Sequence, residues 1–72
     1  MNYSVLWVDD EIEHLQAHIM FLQKKGYDVT VSSNGVDAVE YCQRQTFDLV
    51  LLDEMMPGLS GLETLQRIKD VQ

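Results

Sequence analysis

Apolar residues follow two kinds of pattern along this chain. Val5-Leu6-Trp7-Val8 and Leu49-Val50-Leu51-Leu52 are unbroken apolar runs, as parallel strands covered on both faces read. From Tyr27 to Ser32 the residues Tyr27, Val29 and Val31 alternate with Asp28, Thr30 and Ser32, the pattern of a half-buried or edge strand. Ile12, Leu15, Ile19 and Leu22 recur at spacings of three and four, which predicts one face of an amphipathic helix. Gly26 ends that helix after Lys24-Lys25, basic residues that suit its negative C-terminus. Asn34-Gly35 is a turn signal, after which Val36, Val39 and Cys42 share a face of a short second helix, with Ala38 alongside. The third strand is expected over Phe47–Leu52, and Met55-Met56-Pro57-Gly58 as a loop. Ser60 and Glu63 fit a capping box that opens a third helix, with Leu62, Leu65 and Ile68 inward.

The elements read β-α-β-α-β-α with short, right-handed crossovers. The uniformly apolar first strand belongs in the centre and the alternating second strand at an edge. The expected fold is therefore α/β, a parallel three-stranded sheet of order 2-1-3 with flanking helices. That order has a chemical consequence. Asp9 and Asp10 follow the first strand and Asp53 follows the third, so all three carboxylates emerge at the carboxyl edge of the sheet, where open α/β sheets bind ligands.

Composition narrows the setting. At 72 residues the chain holds one small domain, and a core of that size is marginal without a staple. Cys42 is the only cysteine, so no internal disulfide supplies one; it reads as a small apolar residue of a helix in a reducing compartment. Five basic against twelve acidic residues give a net charge of −7, which argues against binding nucleic acid or an anionic membrane. The opening residues lack the charged start and apolar stretch of a signal peptide. No apolar run approaches the roughly 20 residues of a spanning helix. The expectation is a soluble, cytoplasmic domain.

Carboxylates crowded at one edge repel one another, and without a counter-ion at least one should hold its proton more tightly than usual. A divalent cation removes that penalty, and oxygen-only ligands with room for water favour Mg2+. The same cation would neutralise a phosphoryl group arriving at Asp53, the natural nucleophile at its strand tip. The competing reading is plainer: Asp9 or Asp10 simply caps a helix beginning near Glu11.

Val8-Asp9-Asp10-Glu11 and the run from Asp48 through Asp53-Glu54-Met55-Met56-Pro57-Gly58-Leu59-Ser60-Gly61 resemble the receiver domain of two-component response regulators. Gly26-Tyr27-Asp28-Val29 and Asn34-Gly35-Val36-Asp37-Ala38 are similar to that family as well. The resemblance implies a flavodoxin-like fold and a signalling phosphoacceptor rather than an enzyme with a separate substrate. It implies that Asp53 takes a phosphoryl group from a sensor histidine kinase. It also implies that Asp10, Asp53 and the Met55 backbone carbonyl ligate Mg2+, with Asp9 acting through water and the Pro57-Gly58 turn shaping the loop. Leu6-Trp7-Val8-Asp9-Asp10-Glu11 and Leu59-Ser60-Gly61-Leu62-Glu63-Thr64-Leu65 further resemble a secretion-associated subgroup whose receiver precedes an alkaline-phosphatase-like domain.

Against the five strands of that family, residues 1–72 supply three, so the chain is expected to be the N-terminal part of a receiver domain. The fourth strand with its Ser/Thr and the fifth with its Lys are absent from it. Met55 sits two positions past Asp53, and a thioether orients an attacking water poorly, so slow loss of phosphate is expected. The third strand, interior in the family, would show a bare apolar edge here, and such edges pair with what they meet. A homo-oligomer through that edge is expected. The alternative function is a self-associating structural fragment that is not phosphorylated. A phosphohydrolase would need a carboxylate at the Met55 position, and a phosphate-cradling loop would need glycines where Asp9-Asp10-Glu11 stand. His14 and His18 are expected on the solvated face of the first helix, and Trp7 in the core.

Overall fold

The computed structural model describes residues 3–53, 58 and 60–71. Three parallel strands, β1 (Ser4–Val8), β2 (Asp28–Ser32) and β3 (Leu49–Leu52), form one sheet in the order β2-β1-β3. The helices are α1 (Gln16–Lys24), α2 (Gly35–Arg44) and α3 (Gly61–Val71). A 3₁₀ turn at Ile12–Leu15 leads into α1, so the first helical stretch is tighter at its start than the regular spacing predicts. The central place of the first strand and the edge place of the second are as expected. Val5, Leu6 and Val8 are 2%, 0% and 0% exposed, which is what two flanking strands and two covered faces produce.

Register sorts the side chains by face. Val5 lies between Val29 and Leu49, and Trp7 between Val31 and Leu51; Leu6 lies between Thr30 and Val50, and Val8 between Ser32 and Leu52. Parallel partners share a face. The face of Leu6 and Val8 carries the main core, joined by Ala38 and Cys42 of α2, Phe47, and Ile68 of α3. α1 lies on the other face, because right-handed crossovers leftward to β2 and rightward to β3 fall on opposite sides of a sheet.

One helix covers less than two, and this corrects several expectations. Trp7 is half-buried and lines an apolar cavity of about 380 Å³ with Ala17, His18, Phe21 and Leu22, so it is not enclosed core. Val31 is exposed, while Ser32 on the better-covered face is buried; the alternation of β2 therefore points its polar end inward. Ile19 alone of the predicted α1 face is fully buried.

In α2 the inward positions are Gly35, Ala38 and Cys42, and Val36 is exposed. In α3 they are Gly61, Thr64 and Ile68, whereas Leu62 and Leu65 are 76% and 37% exposed. The predicted inward face of α3 is thus wrong for two of its three residues. Small residues at Gly61 and Thr64 let α3 pack against α2, and that rotation leaves the two leucines outside. β3 begins at Leu49, two residues later than expected, although Phe47 ahead of it is buried.

The helix ends match their sequence signals. Asn34 Oδ1 accepts the Asp37 N–H at 2.8 Å and caps α2. Ser60 Oγ accepts the Glu63 N–H at 3.1 Å, the first half of the predicted box on α3, and Glu63 Oε1 turns back to lie 3.2 Å from the same hydroxyl. Gly26 takes a φ of +96° after α1, a conformation that side chains disfavour. There the Tyr27 N–H reaches the Leu22 carbonyl, as a left-handed helix end requires. Among the described residues, no helix is long and apolar enough to cross a membrane.

Candidate metal centre

The site is built by the ends of two neighbouring strands. The Asp9 N–H donates to the Ser32 carbonyl at 3.0 Å, and the Asp53 N–H donates to the Val8 carbonyl at 3.0 Å. The last residues of all three strands are thereby stitched together, and Asp9, Asp10 and Asp53 are delivered to one edge. Each offers a carboxylate oxygen lying within 4.8 Å of those of the other two. Asp9 and Asp53 are half-buried, and Asp10 is exposed.

Asp9 has a second engagement. Its Oδ1 accepts the Glu11 N–H at 2.8 Å, an Asx turn that shapes the chain leaving β1. The capping expectation is not met, because neither the 3₁₀ turn nor α1 has a side-chain cap; Asp9 holds the loop ahead of the helix and still stands in the cluster.

Charge crowding shows in Asp10. Although its side chain reaches solvent, its acidity is weakened: its pKa is raised above the ordinary 3.8, first by partial desolvation. A hydrogen bond with Asp53 and then the negative charges of Asp53, Glu11 and Asp9 push it the same way. Two carboxyl groups can share a hydrogen bond only with a proton between them. A proton there and a cation among the three oxygens are alternative ways to cancel one charge. The donor set, three hard oxygens on an open edge, suits a hydrated Mg2+ better than a softer metal.

The other predicted site residue, Met55, lies outside the described residues, as does Pro57. Gly58 is described, and its φ of +79° is one that a side chain disfavours, consistent with the predicted turn. His14 and His18 are both exposed; His14 Nδ1 lies 3.1 Å from Glu11 Oε2. The Cys42 thiol is buried, and desolvation raises its pKa above 9.0, which makes it a poor nucleophile. Sequence reasoning missed the contribution of Ser32, whose hydroxyl donates to the Asn34 carbonyl at 2.9 Å while its own carbonyl holds Asp9. Its place in an alternating strand read as solvent-facing.

The family model for the response regulator receiver domain matches residues 5–72. The chain belongs to that family. A receiver-domain relative, the transcriptional regulatory protein CpxR homolog of Haemophilus influenzae, is 42% identical over 68 residues, covering 94% of this chain and 30% of that protein. The solved response regulator protein TrrA of Thermotoga maritima, in complex with Mg2+ and BeF, shares 37% identity at a TM-score of 0.84, over 94% of this chain and 59% of that one. The receiver domain of a sensor histidine kinase from Pseudomonas aeruginosa, with a magnesium ion coordinated in its active-site cleft, is 28% identical at a TM-score of 0.89. That comparison covers the whole of this receiver-family chain and 59% of the other. The chain thus spans just over half the length of these solved relatives, and under a third of the curated one.

Proposed function

We propose that Asp53 accepts a phosphoryl group from a sensor histidine kinase, in the presence of Mg2+, as the input step of a two-component switch. The observation that carries this reading is the convergence of Asp9, Asp10 and Asp53 within 4.8 Å at the carboxyl edge of the sheet. In the transfer, an Asp53 carboxylate oxygen forms a bond to phosphorus as the donor's nitrogen–phosphorus bond breaks, and the imidazole leaves with that electron pair. Asp10 and Asp53 would hold the cation directly, with the Met55 carbonyl, and Asp9 through water. The cation, when bound, neutralises charge on the incoming phosphoryl oxygens. Asp10 keeps a negative oxygen beside that position, and Asp9, tied to Glu11, keeps the loop in place. The transfer is made onto the chain itself, so the domain is a signalling acceptor and not an enzyme that turns over a substrate. A cytoplasmic setting follows from a kinase partner of this kind, and no contact with membrane or nucleic acid is required.

Residues 1–72 would be the first three β-α units of the receiver, with β3 open on its outer side. The Asp53 N–H goes to β1, and main-chain groups of a strand alternate in direction, which turns those of Val50 and Leu52 outward. Leu49 is 50% exposed beside them. A second copy pairing along this edge would satisfy those groups.

Incubation with a small phosphodonor and Mg2+, followed by intact mass, tests the acceptor role. The expected result is a gain of one phosphoryl group that Asp53→Asn abolishes. An unchanged wild-type mass, or an equal gain in the variant, would overturn it and favour a structural, self-associating role.

A further inference from the structure

The site depends on register, because its carboxylates come from two strands that meet only through the β1–β3 ladder. That ladder is short, four paired residues from Val5–Leu49 to Val8–Leu52, and among the described residues β3 has β1 as its sole strand neighbour. Its sequence, Leu-Val-Leu-Leu, does little to resist slippage, since a shift leaves apolar residues on both faces. A slip of two residues keeps every side chain on its face and moves Asp53 by about 6.6 Å along β1. That exceeds the 4.8 Å within which the three carboxylates now gather, so one slip would disperse the site.

At the far end of the ladder, just before its first pair, Ser4 and Asp48 clasp one another. Asp48 Oδ2 accepts from the Ser4 N–H at 2.8 Å and from Ser4 Oγ at 3.2 Å. In return the Asp48 N–H donates to the Ser4 carbonyl at 2.9 Å and to Ser4 Oγ at 3.1 Å. Ser4 Oγ also lies 3.4 Å from the Thr46 carbonyl. These bonds match one residue to one residue, side chain and main chain together, which apolar packing in β3 cannot do.

We propose that Asp48, through its clasp on Ser4, is a positioning residue for the acidic site: it pins β3 to β1 in the one register that brings Asp53 to Asp10. It acts from five residues away, roughly 16 Å along an extended strand. The inference rests on the metal-site reading for one of its consequences, Mg2+ affinity, and stands apart from it for the other, register itself.

The test compares wild type with Asp48→Ala, Asp48→Asn and Ser4→Ala by Mg2+ titration and by hydrogen exchange of the Asp53 amide. That amide is protected only while it donates to Val8. Asp48→Ala is expected to weaken Mg2+ binding roughly ten-fold and to lower Asp53 protection more than that of the β1–β2 amides. Asp48→Asn keeps an acceptor for the Ser4 N–H and should restore both. If Asp48→Ala does not fold, Ser4→Ala, which removes only the hydroxyl bonds, should show the same two changes in smaller degree. Unchanged affinity and protection in the folded variants would overturn the proposal and leave the buried Phe47 as the anchor of β3. If wild type itself shows no saturable Mg2+ binding, the reading of the site fails, and Asp53 protection alone decides the register pin.

Discussion

The Asp53 N–H meets the Val8 carbonyl at 3.0 Å, so the last rung between β3 and β1 is also the floor of the acidic site. The phosphoacceptor candidate is therefore set by main-chain geometry, and side-chain substitutions at Asp9, Asp10 and Asp53 should alter charge without dismantling the sheet. This separation makes the chemistry testable by mutation.

Asp10 provides the first case. Its folded-state pKa is raised, so the folded chain binds its proton more readily than the unfolded chain does. The sign follows: the charged Asp10 penalises the folded state above its raised pKa, and the penalty fades as pH falls through that value toward the unfolded one. Asp10→Asn should melt at a higher temperature than wild type at neutral pH without Mg2+. The difference should shrink on acidification. Thermal melts across pH check this; a variant less stable than wild type at neutral pH would contradict it.

Mg2+ should reverse that order. A ligand bound only by the folded state at a hundred times its dissociation constant stabilises by roughly 2.7 kcal/mol. Wild type should gain stability with added Mg2+, and Asp10→Asn should gain much less. Calorimetric scans at matched ionic strength read the comparison.

Thr64 has a different defect. It is 0% exposed, and its hydroxyl has no hydrogen-bond partner among the described residues. Thr64→Val keeps the shape and removes the stranded group, so it should stabilise by about 1 kcal/mol, read as a higher urea midpoint with an unchanged slope. A loss of stability would show that the hydroxyl finds a partner in solution.

Leu49 tests the open edge. A charge on an edge strand opposes pairing with another copy, and at 50% exposure this position should accept Lys at little cost to the fold. Sedimentation should show wild type self-associating at micromolar concentration and Leu49→Lys shifted to monomer. A stable wild-type monomer would remove the self-association proposal.

The architecture was legible because strand character differs so sharply between β1 and β2. An unbroken Val/Leu run wants two covered faces, and the alternating Tyr27–Ser32 segment wants one; the order β2-β1-β3 follows, and with it the meeting of Asp9, Asp10 and Asp53. Helix facing was harder to read. Periodicity identifies α3 as amphipathic, yet Leu62 and Leu65 lie outside while Gly61 and Thr64 lie inside, because close packing on α2 selects small residues over large apolar ones. Trp7 misled for a related reason: its strand is central, but among the described residues its side of the sheet carries α1 alone. The Ser4–Asp48 clasp was illegible, since two polar residues 44 positions apart become partners only once register is known.

The most direct measurement of the account is an NMR titration of the chain with Mg2+, following the amides of Asp9, Asp10 and Asp53. The account predicts that all three shift together along one saturable curve, and that Asp10→Asn and Asp53→Asn each lose it. Residues at this edge that respond independently, or not at all at millimolar Mg2+, would contradict a shared site.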